Sequence, residues 1–369
     1  MIPYGKQNIS KEDIDSVLSI LKSDWITQGP HVKKFEEAIA NKLGSNYCIA
    51  ANSATSCLHL ACEALGVKKG DRVWTSPNSF VASANAALFC GAEIDFVDID
   101  PVTYNLSCEK LEEKLLNASK ENLLPKVVIP VHFGGQSCDM ERIYNLSSKY
   151  NFKIIEDASH AIGSKYKNEY VGNCKYSSIT VFSFHPVKII TTAEGGAATT
   201  NDPKLAQVMN RNRTHGIEKM EGNNYDLISS EIWNYKQVSL GFNYRMNDIQ
   251  AALGLSQLKR LDSFVSKRNS IARKYDEELK MLGIQLPKQM KFNQSSFHLY
   301  PLRVSTNKGG ITQKDLYNYL RSNKIGVNLH YIPIYRQPYF KKLGFKKGYC
   351  EEAEYHFKEV VSMPIFYDL

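Results

Sequence analysis

The sequence has eight cysteines without a CxxC pair and nine histidines without an HExxH or HxxxH pair, so no spacing marks a zinc site and no metal is expected. No apolar run approaches the roughly 18 residues that span a bilayer, so no membrane partner is expected. The opening segment MIPYGKQNISKED has neither a basic n-region nor an apolar h-region, and a cytoplasmic chain with reduced thiols is expected. Gly (22) and Pro (13) are too few for a low-complexity or linker-rich chain, and no internal repeat is visible. The net charge is +8, yet Lys and Arg are not gathered into basic runs. That argues against a nucleic-acid partner and leaves an anionic small ligand open. What is present is 369 residues with 43% hydrophobic and 23% charged content, enough for two to three domain-sized units with real cores.

Ile14, Val17, Leu18 and Leu21 fall at helical spacing behind Ser10 and Asp13, which resemble a capping box. A second helix is predicted from Pro30 to Leu43, ending at Gly44. Short β-branched strands then alternate with helices: strands Tyr47–Ala51, Arg72–Thr75, Ile94–Val97, Val127–Val131, Lys153–Ile155 and Ile179–Phe184, and helices Thr55–Leu65 and Phe80–Phe89. Strands apolar on both faces and separated by helices predict an α/β fold with a mostly parallel sheet covered on both sides. Ligands of such sheets bind beyond the carboxyl ends of the strands. From Asn247 the pattern changes to a long helical stretch, broken near Asp262, then strands Phe297–Val304 and Gly326–His330 and a helix Thr312–Asn323. This predicts a large domain over 1–246 and a smaller α+β domain over 247–369.

Four positions at successive strand ends carry chemistry. Lys188, in FSFHPVKIITTAEGG, is flanked by apolar residues; desolvation there lowers a lysine pKa and frees a nucleophilic amine, a Schiff-base candidate. Asp157, in IIEDASHAIGS, can keep a ring nitrogen protonated, as a pyridoxal phosphate enzyme requires. The NSATS turn places small residues and hydroxyls where a helix start suits a phosphate. Phe80 can stack on a flat cofactor. Each also has an ordinary reading: a snorkelling lysine, a helix cap, a plain helix start and a core ring. Their occurrence together favours a pyridoxal phosphate site.

DWITQGPHVKKFEEA, NSATS, EDASHAIGS, FSFHPVKIITTAEGG, RTHGI and GFNYRMNDIQAALGLSQL together resemble the DegT/DnrJ/EryC1/StrS sugar aminotransferases. The resemblance runs from about Tyr4 to Tyr335. It implies a fold-type I pyridoxal phosphate transferase in which Lys188 binds the cofactor and moves protons, and Asp157 partners the pyridine nitrogen. It further implies that His160 lies near the ring oxygen, that Ala54, Thr55 and Ser183 contact phosphate, that Ala54, Ser183 and Asn243 contact substrate, and that Phe80 stacks. Asn243 matches a residue that reaches the neighbouring subunit's phosphate, with Arg245 beside it, so a homodimer with shared sites is implied. Tyr4, Asp24, Trp25, Ile26, Thr27, His330, Tyr331, Ile332 and Pro333 match stretches that contact a nucleotide sugar. SFHPVKIITTAEGG, SHAIGSKY and HYIPIY are most similar to the pseudaminic acid branch, which implies a UDP-linked 4-keto-6-deoxy sugar as acceptor and L-glutamate as donor. A lysine rather than a histidine at position 188 favours transamination over dehydration.

Overall fold

The structure, a computed structural model, describes residues 1–219, 235–304 and 311–369. Its first half runs α1 (Lys11–Leu21), α2 (Pro30–Leu43), β1 (Tyr47–Ala51), α3 (Ala54–Ala64), β2 (Arg72–Thr75), α4 (Ala82–Phe89), β3 (Glu93–Phe96), α5 (Cys108–Lys120), β4 (Val127–Ile129), α6 (Met140–Tyr150) and β5 (Lys153–Asp157). Two short strands, β6 (Lys165–Tyr166) and β7 (Glu169–Tyr170), precede β8 (Ile179–Ser183), β9 (Gly196–Thr200), α7 (Pro203–Asn212), β10 (Ile217–Lys219) and β11 (Tyr235–Gln237). The remainder is α8 (Asp248–Lys259), α9 (Leu261–Leu279), β12 (Asn293–Gln294), β13 (Tyr300–Arg303), α10 (Gln313–Ser322), α11 (Pro338–Lys342), α12 (Glu351–Glu359) and β14 (Val360–Met363).

The central sheet has seven strands in the order β1, β9, β8, β5, β4, β2, β3. Only β9 runs against the rest, pairing antiparallel with both β1 and β8, while β8, β5, β4, β2 and β3 are joined by parallel ladders. This is the α/β architecture that the alternation of strands and helices implied. Side chains on a strand alternate between faces, and the cores follow that period. Val73, Val127, Ile129, Ile155 and Val181 pack with Leu58, Ala61 and Ala87 of α3 and α4. Trp74, Val128 and Ile154 point the other way, onto Leu111 and Leu115 of α5 and Ile143 and Leu146 of α6. Near β1 and β8 that second face is covered instead by Phe35 and Ile39 of α2, Ala251 and Leu258 of α8, and Leu261 and Phe264 of α9.

The helix ends are set by polar side chains. Ser10 and Asp13 form the capping box on α1, and the buried Asp13 also accepts from Gln257 at 2.7 Å and Arg260 at 2.5 Å. Pro30 opens α2, whose first free amides are held by Asp248: Gly29 N donates at 2.7 Å and His31 N at 2.8 Å. The long helical stretch breaks at Arg260, the C-cap of α8, two residues before the expected break. The expected division at 246/247 falls just before α8, which packs on α1 and α2.

Three expectations are corrected. The helix after β2 begins at Ala82, leaving Phe80 before it. Gly326–His330 is not a strand; Gly326 N donates to Ile2 O at 2.6 Å, and only Asn328 bridges to Ser362 of β14. Strand β8 ends at Ser183, so Lys188 stands in the loop that crosses to β9 rather than at the strand end.

Candidate active site

Along the carboxyl edge of the parallel strands lies a cavity of about 610 Å³, reached by Ala54, Ser83, Asp157 and Lys188 from separate segments. Its first wall is the start of α3. Ser53 Oγ accepts from Ser56 N at 3.1 Å, while the amides of Ala54 and Thr55 belong to the first turn, where a helix offers no carbonyl partner. Gly196 of β9 faces this turn, and a Cβ there would stand 2.5 Å from Ala54 N. The close backbone approach leaves the amide end clear for an anion, with the helix dipole behind it.

Strand β5 carries Asp157 to the cavity floor, where it is buried. Its carboxylate accepts from Ser83 Oγ at 2.6 Å, Ser159 Oγ at 2.5 Å and Ser159 N at 3.1 Å. These hydrogen bonds fix and aim the carboxylate. Lys188 lies on the same cavity, half-buried; burial lowers its ammonium to about 8, with the Asp157 charge opposing. A free amine is then accessible near neutral pH.

His160 is buried, and burial with the nearby Lys188 charge pushes its pKa well below the usual value. Gly134 N donates to its Nδ1 at 3.3 Å, so the neutral ring carries its proton on Nε2, which faces Tyr331 Oη at 3.1 Å. Tyr331 then has its own hydroxyl proton free. His330 Nδ1 lies 2.8 Å from Ser362 Oγ, and burial lowers His330 to about 3. His298, packed 4.4 Å from His160 between ring centroids, is lowered in the same way. The cavity is thus lined by the neutral imidazoles of His160 and His330, one buried carboxylate and one lysine, with His298 packed against His160.

Of the residues singled out from sequence, Tyr4, Ala54, Thr55, Phe80, Asp157, His160, Ser183, Lys188, His330, Tyr331 and Ile332 line this cavity. Phe80 stands at its edge with 62% of its surface exposed, which excludes a core-packing role. Pro333 is buried behind them. Asp24, Trp25, Ile26 and Thr27 are exposed and do not line the cavity. Asn243 is exposed, its carbonyl 3.4 Å from Asn52 Nδ2. Arg245 lines a second cavity of about 620 Å³, with Arg213 and Glu36. Sequence reasoning passed over Ser83, Ser159 and His298. Ser159 was findable, since a serine two residues after a strand-end Asp is a common local acceptor pattern. Ser83 and His298 were not, being 74 and 138 residues away from the groups they meet.

An amine of lowered pKa, a buried carboxylate and a helix-start anion cradle on one cavity are the parts that pyridoxal phosphate needs, so the residues present fit the group. Fold and site together define a pyridoxal-phosphate-dependent aminotransferase. The chain belongs to the DegT/DnrJ/EryC1/StrS aminotransferase family, whose profile matches residues 7–369. It is 40% identical over 365 residues, 99% of this chain and 92% of the relative, to the UDP-4-amino-4,6-dideoxy-N-acetyl-β-L-altrosamine transaminase of Campylobacter jejuni. Among solved structures it is similar to Helicobacter pylori PseC, an aminotransferase involved in the biosynthesis of pseudoaminic acid (TM-score 0.86, 32% identity, covering 100% of this chain and 94% of that one). It is also similar to the PLP form of the putative sugar aminotransferase Spr1654 of Streptococcus pneumoniae (TM-score 0.88, 28% identity, 100% and 94% covered). The protein is a sugar aminotransferase that uses pyridoxal phosphate. Among the described residues no helix is long and apolar enough to cross a membrane.

Proposed function

We propose that this aminotransferase moves an amino group from L-glutamate to the C4 ketone of a UDP-linked 4-keto-6-deoxy sugar, UDP-2-acetamido-2,6-dideoxy-β-L-arabino-hex-4-ulose, the chemistry of pseudaminic acid biosynthesis. The observation that carries the site assignment is that Lys188 and Asp157 face one cavity whose far wall is the amide end of α3. The likeness to the altrosamine transaminase supports the choice of sugar.

Bound at Lys188, pyridoxal phosphate supplies a carbonyl for amine exchange and a ring that accepts an electron pair. In this reading Asp157 holds the ring nitrogen proton, its carboxylate held in place by Ser83 and Ser159. Ala54, Thr55 and Ser183 bind phosphate, and Phe80 covers one ring face. His160 donates toward Tyr331 and leaves the Tyr331 hydroxyl to donate into the site. Lys188, with its lowered pKa, accepts a proton from one carbon and returns it to another. Tyr4 and His330–Pro333 contact the sugar nucleotide. Asn243, Arg245 and Asp24–Thr27, which lie outside this chain's own cavity, serve the site of a second copy in a homodimer. The excess positive charge suits two phosphorylated ligands.

The test is a panel of UDP- and dTDP-linked keto sugars with L-glutamate, each product's regiochemistry and stereochemistry read by NMR. Amination at C4 of the L-arabino sugar, with 2-oxoglutarate formed in equal amount, is expected. A preference for a 3-keto sugar, or turnover without an amino donor, would overturn the substrate assignment.

A further inference from the structure

On the far side of α3 from the cofactor cradle, a second cluster has no part in this chemistry. His59 is 4% exposed, and its ring is held on its faces and edge by Phe242 at 4.6 Å and Phe89 at 5.3 Å between centroids. Its Nδ1 meets Tyr244 Oη at 3.2 Å. With Nδ1 so engaged, Nε2 is left as a buried polar atom without a hydrogen-bond partner among the described residues. Such an atom is costly unless something satisfies it. Nε2 is 3.8 Å from Glu63 Oε1, and one ligand atom each of His59, Glu63 and Cys90 lie within 4.8 Å of one another.

We propose that His59, Glu63 and Cys90 form a zinc site, with solvent as fourth ligand. A nitrogen, an oxygen and a sulfur donor suit a borderline-soft divalent ion of the zinc class. Tetrahedral zinc with bonds of about 2.0 to 2.3 Å needs donors about 3.3 to 3.8 Å apart. The His59–Glu63 separation of 3.8 Å exceeds the nitrogen–oxygen end of that range by about 0.5 Å, and rotation of the half-buried Cys90 and Glu63 side chains closes the difference. Tyr244 is the outer partner that fixes the imidazole tautomer, as metal-bound histidines require. Glu63 and Cys90 are both partly open to solvent, which provides the entry path and the fourth position. His59 and Glu63 are four residues apart on α3, whereas Cys90 caps the end of α4. The ion would therefore clip α3 to α4 beside the Phe242–Tyr244 segment that carries Asn243. Its role would be to join the two helices, with no part in the cofactor chemistry.

Zinc content of the cofactor-loaded protein, measured after gel filtration with a weak competing chelator, tests this. One ion per chain should be retained, with X-ray absorption showing one sulfur among nitrogen and oxygen ligands. Cys90→Ser, Glu63→Gln and His59→Gln should each weaken binding by tenfold or more, and Tyr244→Phe by about tenfold. Cys350→Ser, at a buried cysteine elsewhere, should bind zinc as the unaltered protein does. Glu63 is partly exposed, so Glu63→Gln should fold even where His59→Gln does not. Added zinc should raise the melting temperature of the unaltered protein and not that of Cys90→Ser. No retained ion, or an ion retained equally by Cys90→Ser and Glu63→Gln, would overturn the proposal.

Discussion

Lys188 owes its pKa of about 8 chiefly to burial, with Asp157 pulling the other way. Two outcomes follow at this scale. Because the folded value lies below the ordinary lysine value of 10.5, the unfolded chain binds more protons between about pH 8 and pH 10.5, so stability rises with pH across that window. Below it the buried ammonium is a constant cost. Lys188→Met should therefore raise the melting temperature of the cofactor-free protein at pH 7, with the advantage fading as pH approaches 10.5; melting curves of both proteins across that range check it. The same substitution should lower transamination by more than about 10³-fold, since it removes both nucleophile and proton carrier. Asp157 makes a subtler case. Removing one donor with Ser83→Ala leaves the carboxylate with Ser159 alone, and a charge-assisted hydrogen bond is worth about 1.5 to 3 kcal/mol. Turnover should fall by about tenfold to a hundredfold, with little change in substrate KM. A KM change alone would mean that Ser83 touches substrate rather than positioning Asp157.

At the level of elements, local signals were readable where one segment contains its own answer. The capping box of Ser10 and Asp13, the Gly44 stop of α2 and the period-2 burial of Ile154 and Ile155 all follow from neighbours in sequence. What was not readable depends on partners far along the chain. Asp248 caps α2 from a distance of 217 residues, and the segment at Gly326 is engaged by Ile2 through a single parallel bridge at Ile325 rather than forming a longer strand. Lys188 was read as a strand-end residue because Val187, Ile189 and Ile190 around it are apolar, whereas β8 ends at Ser183 and leaves it in the following loop. The turn from β1 into α3 offers the sharpest test at this scale. Gly196→Ala places a methyl group against Ala54 N, which is backbone and cannot swing aside. The first turn of α3 must shift, so cofactor affinity should drop by more than tenfold while Ser53→Ala, which only removes a cap, costs about 1 kcal/mol of stability. Cofactor titration followed by fluorescence, alongside thermal melts, separates the two effects.

The whole molecule presents residues that a single chain does not explain. Trp25 and Ile26 are more than half exposed, Leu240 is 78% exposed, and Asn243 faces outward. Exposed apolar groups of this size, next to an outward polar residue matched to a phosphate contact, fit a surface covered by a second copy. If two chains complete each other's sites, Lys188 acts within its own cavity and Asn243 acts in the partner's. Two inactive proteins, Lys188→Ala and Asn243→Ala, then become informative when mixed and allowed to exchange subunits. In the mixed dimer one site takes its lysine from the Asn243→Ala chain and its asparagine from the Lys188→Ala chain, so it is intact; the other site carries both defects. Random exchange makes about half of the dimers mixed, each with one working site of two, so activity should return to about a quarter of that of the unaltered protein. The recovery should track subunit exchange followed by native mass spectrometry. If Asn243 acts within its own chain, each mixed dimer has two single-defect sites, and mixing restores nothing.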